Sequence, residues 1–178
     1  MKQLHYQLRY ALPIWFIMLL TSFLPDNRIS VRIRGFLISL FIPGNPKGFK
    51  VGRDVTLLGI NHLHVGDNVY IAKGTWINAL GKIVIEDEVV IAPYVVIAST
   101  KHGFKNNSVY QGGTHFAPIK IGWGTWIASH CTIALGVTVG SGSLISANSV
   151  VIKSVKKNSF VSGVPGKKIK DRIDNPGI

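Results

Sequence analysis

The fold class the sequence predicts is an all-β solenoid, with an apolar helical segment ahead of it and a short tail behind. Three observations carry this expectation. An Ile or Val recurs every six residues over most of the chain. The residue after it is usually small or polar. The 19 glycines exceed the usual share yet lack the every-third spacing of a triple helix. At 178 residues the chain fits one domain with attachments.

Residues 1–48 read as the helical segment and a linker. The stretch YALPIWFIMLLTSFLP, residues 10–25, carries no charge. At helical rise it spans roughly 24 Å, short of a hydrocarbon core of roughly 30 Å. It therefore predicts no clean membrane span, and SFLPDN after it is a poor signal-peptidase site. Two readings stay open: peripheral contact with an anionic membrane through residues 10–42, or packing on the protein or a second subunit. Pro43, Gly44, Pro46 and Gly48 mark the linker.

Residues 49–155 carry the period. The aliphatics stand at Val51, Val65, Ile71, Ile77, Ile85, Ile91, Ile97, Ile121, Ile127, Ile133, Val139, Ile145 and Val151. Insertions near His62 and Lys82 reset the phase. Four residues past most of them comes a second compact residue, such as Val69, Thr75, Val95, Cys131 or Ser149, facing the same side of a strand. Strands this short, each turning after six residues, suit a prism whose coils stack and share one core. The excursion 103–118 breaks the repeat, and residues 156–178 read as a basic loop and tail.

The formal charge of +12 favours anionic partners. Between residues 153 and 172, Lys153, Lys156, Lys157, Lys167, Lys168, Lys170 and Arg172 stand against Asp171 alone. A lone cysteine, Cys131, excludes an internal disulfide and falls on a core position of the repeat.

Three runs, IGWGTWIASHCTIALGVTVG, ISANSVVIKSV and VSGVPGKKIK, occur in the order found in the hexapeptide-repeat acyltransferases. From about residue 51 to 169 the sequence resembles that family, and among its members the sugar and surface-polysaccharide O-acetyltransferases. The resemblance implies a left-handed parallel β-helix, a homotrimer with sites in the grooves between subunits, and acetyl-CoA as co-substrate. It matches His102, after IAPYVVIASTK, to the family's catalytic histidine. From the residues themselves, His102 holds an outward position at the mouth of the excursion. An imidazole, with an unperturbed pKa of about 6.5, can take a hydroxyl proton near neutrality.

The resemblance also places Trp126 beside the active site, for cofactor and substrate alike. Ala128, Ala147, Gly163 and Pro165 fall along the run of the pantetheine arm and nucleotide. Lys153, Lys167 and Lys168 become candidates for the coenzyme A phosphates, which accounts for the C-terminal charge without nucleic acid. Relatives carry Pro or Asp after the catalytic histidine, where this chain has Gly103. An acceptor-orienting Asn falls at Ala72, with Asn78 a turn later as a substitute. His115 is a further candidate for substrate contact.

Carbonic anhydrases of this fold place three histidines on zinc, but the spacing of His62, His64, His102, His115 and His130 does not match, so no metal is expected. The leading expectation is O-acetylation of a sugar in a surface glycan or its lipid-linked precursor, in the cytoplasm or at the inner face of the membrane. Acetylation of a small soluble acceptor (an amino sugar, serine or xenobiotic) and a non-catalytic scaffold are the alternatives.

Overall fold

The computed structural model describes residues 2–172. Helix α1 (Lys2–Tyr6) runs through a π-helical turn (Gln7–Ala11) into α2 (Leu12–Thr21), and α3 (Arg28–Ser39) follows. Asn27 starts α3 because its extended backbone lets Oδ1 accept from the N–H groups of Ile29 and Ser30, at 3.0 and 2.9 Å. Among the described residues no helix is long and apolar enough to cross a membrane.

The chain then winds into a parallel prism of about six turns. The first coil is β1 (Lys50–Val51), β2 (Thr56–Leu58) and β3 (Leu63–Val65), and the second is β4 (Tyr70–Ile71), β5 (Trp76–Asn78) and β6 (Ile83–Ile85). The third begins with β7 (Val90–Ile91) and β8 (Val96–Ala98), leaves the prism through β9 (Thr100–His102) and β10 (Thr114–Phe116), and closes with β11 (Ile119–Ile121). The fourth is β12 (Trp126–Ile127), β13 (Thr132–Ile133) and β14 (Thr138–Val139). After it come β15 (Leu144–Ile145), β16 (Val150–Val151), β17 (Ser159–Ser162) and β18 (Lys167–Asp171).

Three faces result. β1, β4, β7, β12, β15, β17 and β18 form the first, β2, β5, β8, β13 and β16 the second, and β3, β6, β11 and β14 the third. All thirteen aliphatics of the repeat are buried, as are the compact residues four places on. Burying each Ile or Val contributes roughly 1.5 to 3 kcal/mol. Cys131 is one of these core residues, with Sγ 3.0 Å from the Ser146 carbonyl, and burial pushes its thiol pKa up.

The corners are stitched coil to coil. On the edge between the first and second faces, Gly52, Ala72, Ala92, Ala128 and Ser146 each donate their N–H to a carbonyl in the next coil, at 2.8 to 2.9 Å. That use of the backbone favours small residues there. The solenoid also reaches beyond residue 155. β17 adds in parallel to β15, and β18 folds back antiparallel on β17, so the segment read as loop and tail holds two strands. Residues 173–178 of that tail lie outside the described residues.

The stretch 43–48 is a tight turn with Pro46 buried, and it holds α3 against the first coil. Gly35 makes that approach: a Cβ there would lie 2.0 Å from the Phe49 carbonyl oxygen. Next to it Arg34 is fully buried. Its guanidinium donates to Thr21 Oγ1 (3.0 Å), the Thr21 carbonyl (3.1 Å), the Val51 carbonyl (2.8 Å) and Asp26 Oδ1 (3.2 Å). One side chain thus ties α2, the turn before α3 and β1 together. Arg34→Ala is expected to lower unfolding stability by about 2 to 5 kcal/mol, because it opens a cavity and takes away the donor shared by the Thr21 and Val51 carbonyls. Urea denaturation followed by circular dichroism checks this.

Candidate active site

The excursion is a β-hairpin. β9 and β10 pair antiparallel, with Thr114 opposite His102, His115 opposite Lys101 and Phe116 opposite Thr100. It leaves from the edge between the second and third faces, at the third coil. His102, Val109, Tyr110, Gly113 and Thr114 line a cleft of about 320 Å³ on it. His102 is exposed there, and Tyr110 is 95% exposed.

Side chains alternate along a strand, so directly opposed residues share a face and their neighbours do not. Thr114 therefore stands on the His102 face, and His115 on the other. The ring of His115 packs over Gly103. A Cβ on Gly103 would lie 2.5 Å from His115 Nε2 and 2.7 Å from the Gly112 carbonyl oxygen. His115 thus fills the room that a side chain at position 103 would need. Val109, Tyr110, Gly113 and Thr114 are the cleft residues that the sequence reading passed over. The alternation in TKH and THF was the available signal, but it needed the pairing register.

Asn78 is 8% exposed, and its amide is in use. Oδ1 accepts from Leu80 N at 3.1 Å, and Nδ2 donates to Thr100 Oγ1 at 3.2 Å. It braces the root of the hairpin. Ala72 is buried at 1% exposure on the opposite edge of the second face.

Trp126 is 51% exposed on the first face, between Val90 and Leu144. Ala128 and Ala147 follow their strands at the edge between the first and second faces, in successive coils, and Gly163 and Pro165 lie in the turn from β17 to β18 at the same edge. Lys167 and Lys168 begin β18 beside that turn, and Lys168 Nζ is 2.5 Å from Asp171 Oδ1. Lys153 follows β16, on the His102 edge. Within one chain the predicted site is therefore split. His102, Asn78 and Lys153 hold one edge, while Trp126, the small residues and two lysines hold the other, with the second face between them.

His130 stacks on Tyr94 at 5.2 Å between ring centres, and His62 Nε2 is 2.9 Å from the Asn61 amide. Among the described residues no three His, Cys, Asp or Glu side chains are grouped to hold a metal ion.

The corner leading to Trp126 is held by Glu86, which accepts from Trp123 N (2.8 Å) and pairs with Lys120 Nζ (2.6 Å). The Lys120 hydrogen bond first, then that from Trp123, holds the Glu86 carboxyl below its usual range.

No protein-family model matches the chain. It is 35% identical over 114 residues to galactoside O-acetyltransferase of Escherichia coli (strain K12), covering 64% of this chain and 56% of that one. It is 28% identical over 167 residues to "Putative colanic acid biosynthesis acetyltransferase WcaF" of the same strain, covering 90% and 87%. Among solved structures, a maltose O-acetyltransferase from Clostridium difficile 630 superposes with a TM-score of 0.78 at 26% identity, covering 90% of this chain and 85% of that one. A galactoside acetyltransferase in complex with coenzyme A gives 0.71 at 26% identity, covering 94% and 82%. The fold is the left-handed parallel β-helix of hexapeptide repeats. In sequence and fold the chain is similar to sugar O-acetyltransferases and hexapeptide-repeat acetyltransferases. Its alignment with the galactoside enzyme spans just over half of that protein's length.

Two outcomes are expected from this geometry. Gly103→Ala should displace the hairpin, since the Gly112 carbonyl is backbone and cannot swing aside; faster hydrogen exchange at residues 100–116 with the core unchanged would register it. Glu86→Gln should cost up to about 1 kcal/mol near neutral pH, as for a partly exposed pair. Because the folded carboxyl titrates below its unfolded value, that contribution is present above the unfolded pKa and fades as pH falls through the folded one. Thermal melts of both proteins should therefore converge in acid.

Proposed function

We propose that this chain is an acetyl-CoA-dependent O-acetyltransferase whose general base is His102, acting on a sugar hydroxyl of a surface glycan or its lipid-linked precursor. The observation that carries the reading is the position of His102. It lies on the rim of a solvent-open cleft, on the hairpin that leaves an otherwise regular solenoid, in a fold shared with a coenzyme A complex.

The chemistry asks little more of the chain. His102 accepts the proton of an acceptor hydroxyl seated against Thr114 and Tyr110. The oxygen so activated attacks the thioester carbonyl of acetyl-CoA, the C–S bond breaks as the acetyl group passes to it, and coenzyme A leaves as the thiol with the proton that His102 took. The edge bearing Ala128 and Ala147 lets an extended pantetheine chain lie against backbone, and Lys167 and Lys168 beyond it suit phosphates.

The separation of the two edges favours a site shared between copies. A homotrimer that sets the His102 edge of one copy beside the Trp126 edge of the next completes it. The glycan reading draws on the likeness to the colanic acid relative over 90% of this chain. The galactoside relative supports a soluble sugar as the alternative acceptor. Peripheral membrane contact through residues 10–42 suits a lipid-linked acceptor, since α2 and α3 both expose large apolar side chains.

His102→Ala should lower acetyl transfer by about 100- to 10,000-fold while coenzyme A still binds, as read by thiol release and calorimetry. Full transfer by that variant would overturn the assignment. Mixing His102→Ala with Trp126→Ala after co-refolding should restore roughly a quarter of the sites if neighbours share them. No recovery would place the whole site in one chain.

A further inference from the structure

α3 is apolar on two opposite sides. One side, with Val31, Gly35 and Ile38, packs on the first coil. On the other, Ile29, Ile33, Phe36 and Leu40 are 69, 45, 63 and 48% exposed. Their spacing of four, three and four puts them in one stripe along the helix. The packed side explains the fold, and among the described residues nothing covers the exposed stripe.

Beside that stripe lies a cleft of about 490 Å³ between α3 and the first coil. Arg32, one turn before Phe36, stands on its wall, with Lys47 and Lys50 from the turn and β1. Phe36, the exposed aromatic of the stripe, lines the same cleft. No carboxylate lines it, and among the described residues none of these three cations is in an ion pair. The nearby Asp67 carboxylate accepts from Lys47 N at 2.8 Å and so serves the backbone. Residues 1–53 hold eight Lys and Arg against one acid, Asp26, which is paired to Arg34.

We infer that this cleft binds the phosphate of an anionic phospholipid, and that α3 docks its exposed stripe into the outer layer of the same membrane. An Arg and two Lys lining one cleft from three segments suit a phosphate, which Arg can hold with two parallel hydrogen bonds. Phe36 and Ile33 beside them suit the acyl boundary just below a headgroup. A second copy of this face fits poorly: two-fold pairing would bring the same cations together. The inference gives the membrane contact of the proposed function a definite site and rests on that part of the reading.

The test uses the full chain and sedimentation with vesicles of phosphatidylcholine, alone or mixed with phosphatidylglycerol. Binding should be confined to the mixed vesicles and weaken with salt. Arg32→Ala with Lys47→Ala and Lys50→Ala should weaken it on the order of 100-fold. Phe36→Ser with Ile33→Ser should weaken it too, although all three cations remain. Glycerol phosphate in solution should fail to compete, which separates a lipid headgroup from a free phosphate. Equal binding to both vesicle types, no binding, competition by glycerol phosphate, or charge variants that alter only self-association would each overturn the inference. Acetyl transfer to a soluble galactoside, run in parallel, should be unchanged in the charge variant. Loss of transfer in the unaltered chain would count against the enzyme assignment and leave the vesicle result to stand.

Discussion

Everything in this molecule depends on one constraint: strands of two or three residues must find their hydrogen-bond partners in the coil above or below. A backbone that short cannot satisfy itself. Each coil is therefore stable only when stacked, and stacking fixes what may stand at each position of the repeat. Inward places must be aliphatic or compact because they share one column of core. Corner places must be small, or tolerate a left-handed backbone, because the chain turns there while donating to its neighbour. Outward places are free of both demands, and that freedom leaves them available for chemistry.

The same constraint explains how function is attached. A regular prism offers flat faces and straight edges, with no natural hollow. A cleft has to be added, and here the hairpin of β9 and β10 adds one while leaving the register of the third face intact: β11 still pairs with β6 below and β14 above. Asn78 and Ser99 hold the exit point. Ser99 Oγ donates to the Asn78 carbonyl at 2.7 Å and accepts from Gly81 N at 2.8 Å. His102 therefore stands on an arm whose root is tied into the solenoid by hydrogen bonds.

The solenoid was legible in the sequence because its physics is local and repeats. A period of six with fixed inward positions needs no knowledge of which strand pairs with which, and even Cys131 could be assigned to the core from its place in the repeat. His102 drew attention for a related reason, since it stands where the repeat stops. Its neighbours did not. Thr114 and Tyr110 reach the cleft, and His115 turns away to cover Gly103, through the register of one antiparallel pair that no period announces. The strands after residue 155 escaped notice because β18 runs antiparallel and carries charges on every other place or better, KKIKD, instead of an aliphatic at each sixth. The bond from Arg34 to β1 was equally hidden, because a buried arginine reads in sequence as one more surface charge.

The division of the candidate site between two edges follows from the prism as well. Three faces meeting at three edges keep any two edges apart by a full face, so the edge bearing His102 and the edge bearing Ala128 cannot be brought together by bending. Moving the hairpin would break its root at Asn78. Moving the track would break the ladder through Ala128 and Ser146. The remaining route is a second prism set alongside, edge to edge, and the parallel stacking of coils makes that arrangement geometrically cheap, because neighbouring prisms present straight, matching sides. On the proposed reading, two solenoids set side by side would bring together what one rigid solenoid keeps apart.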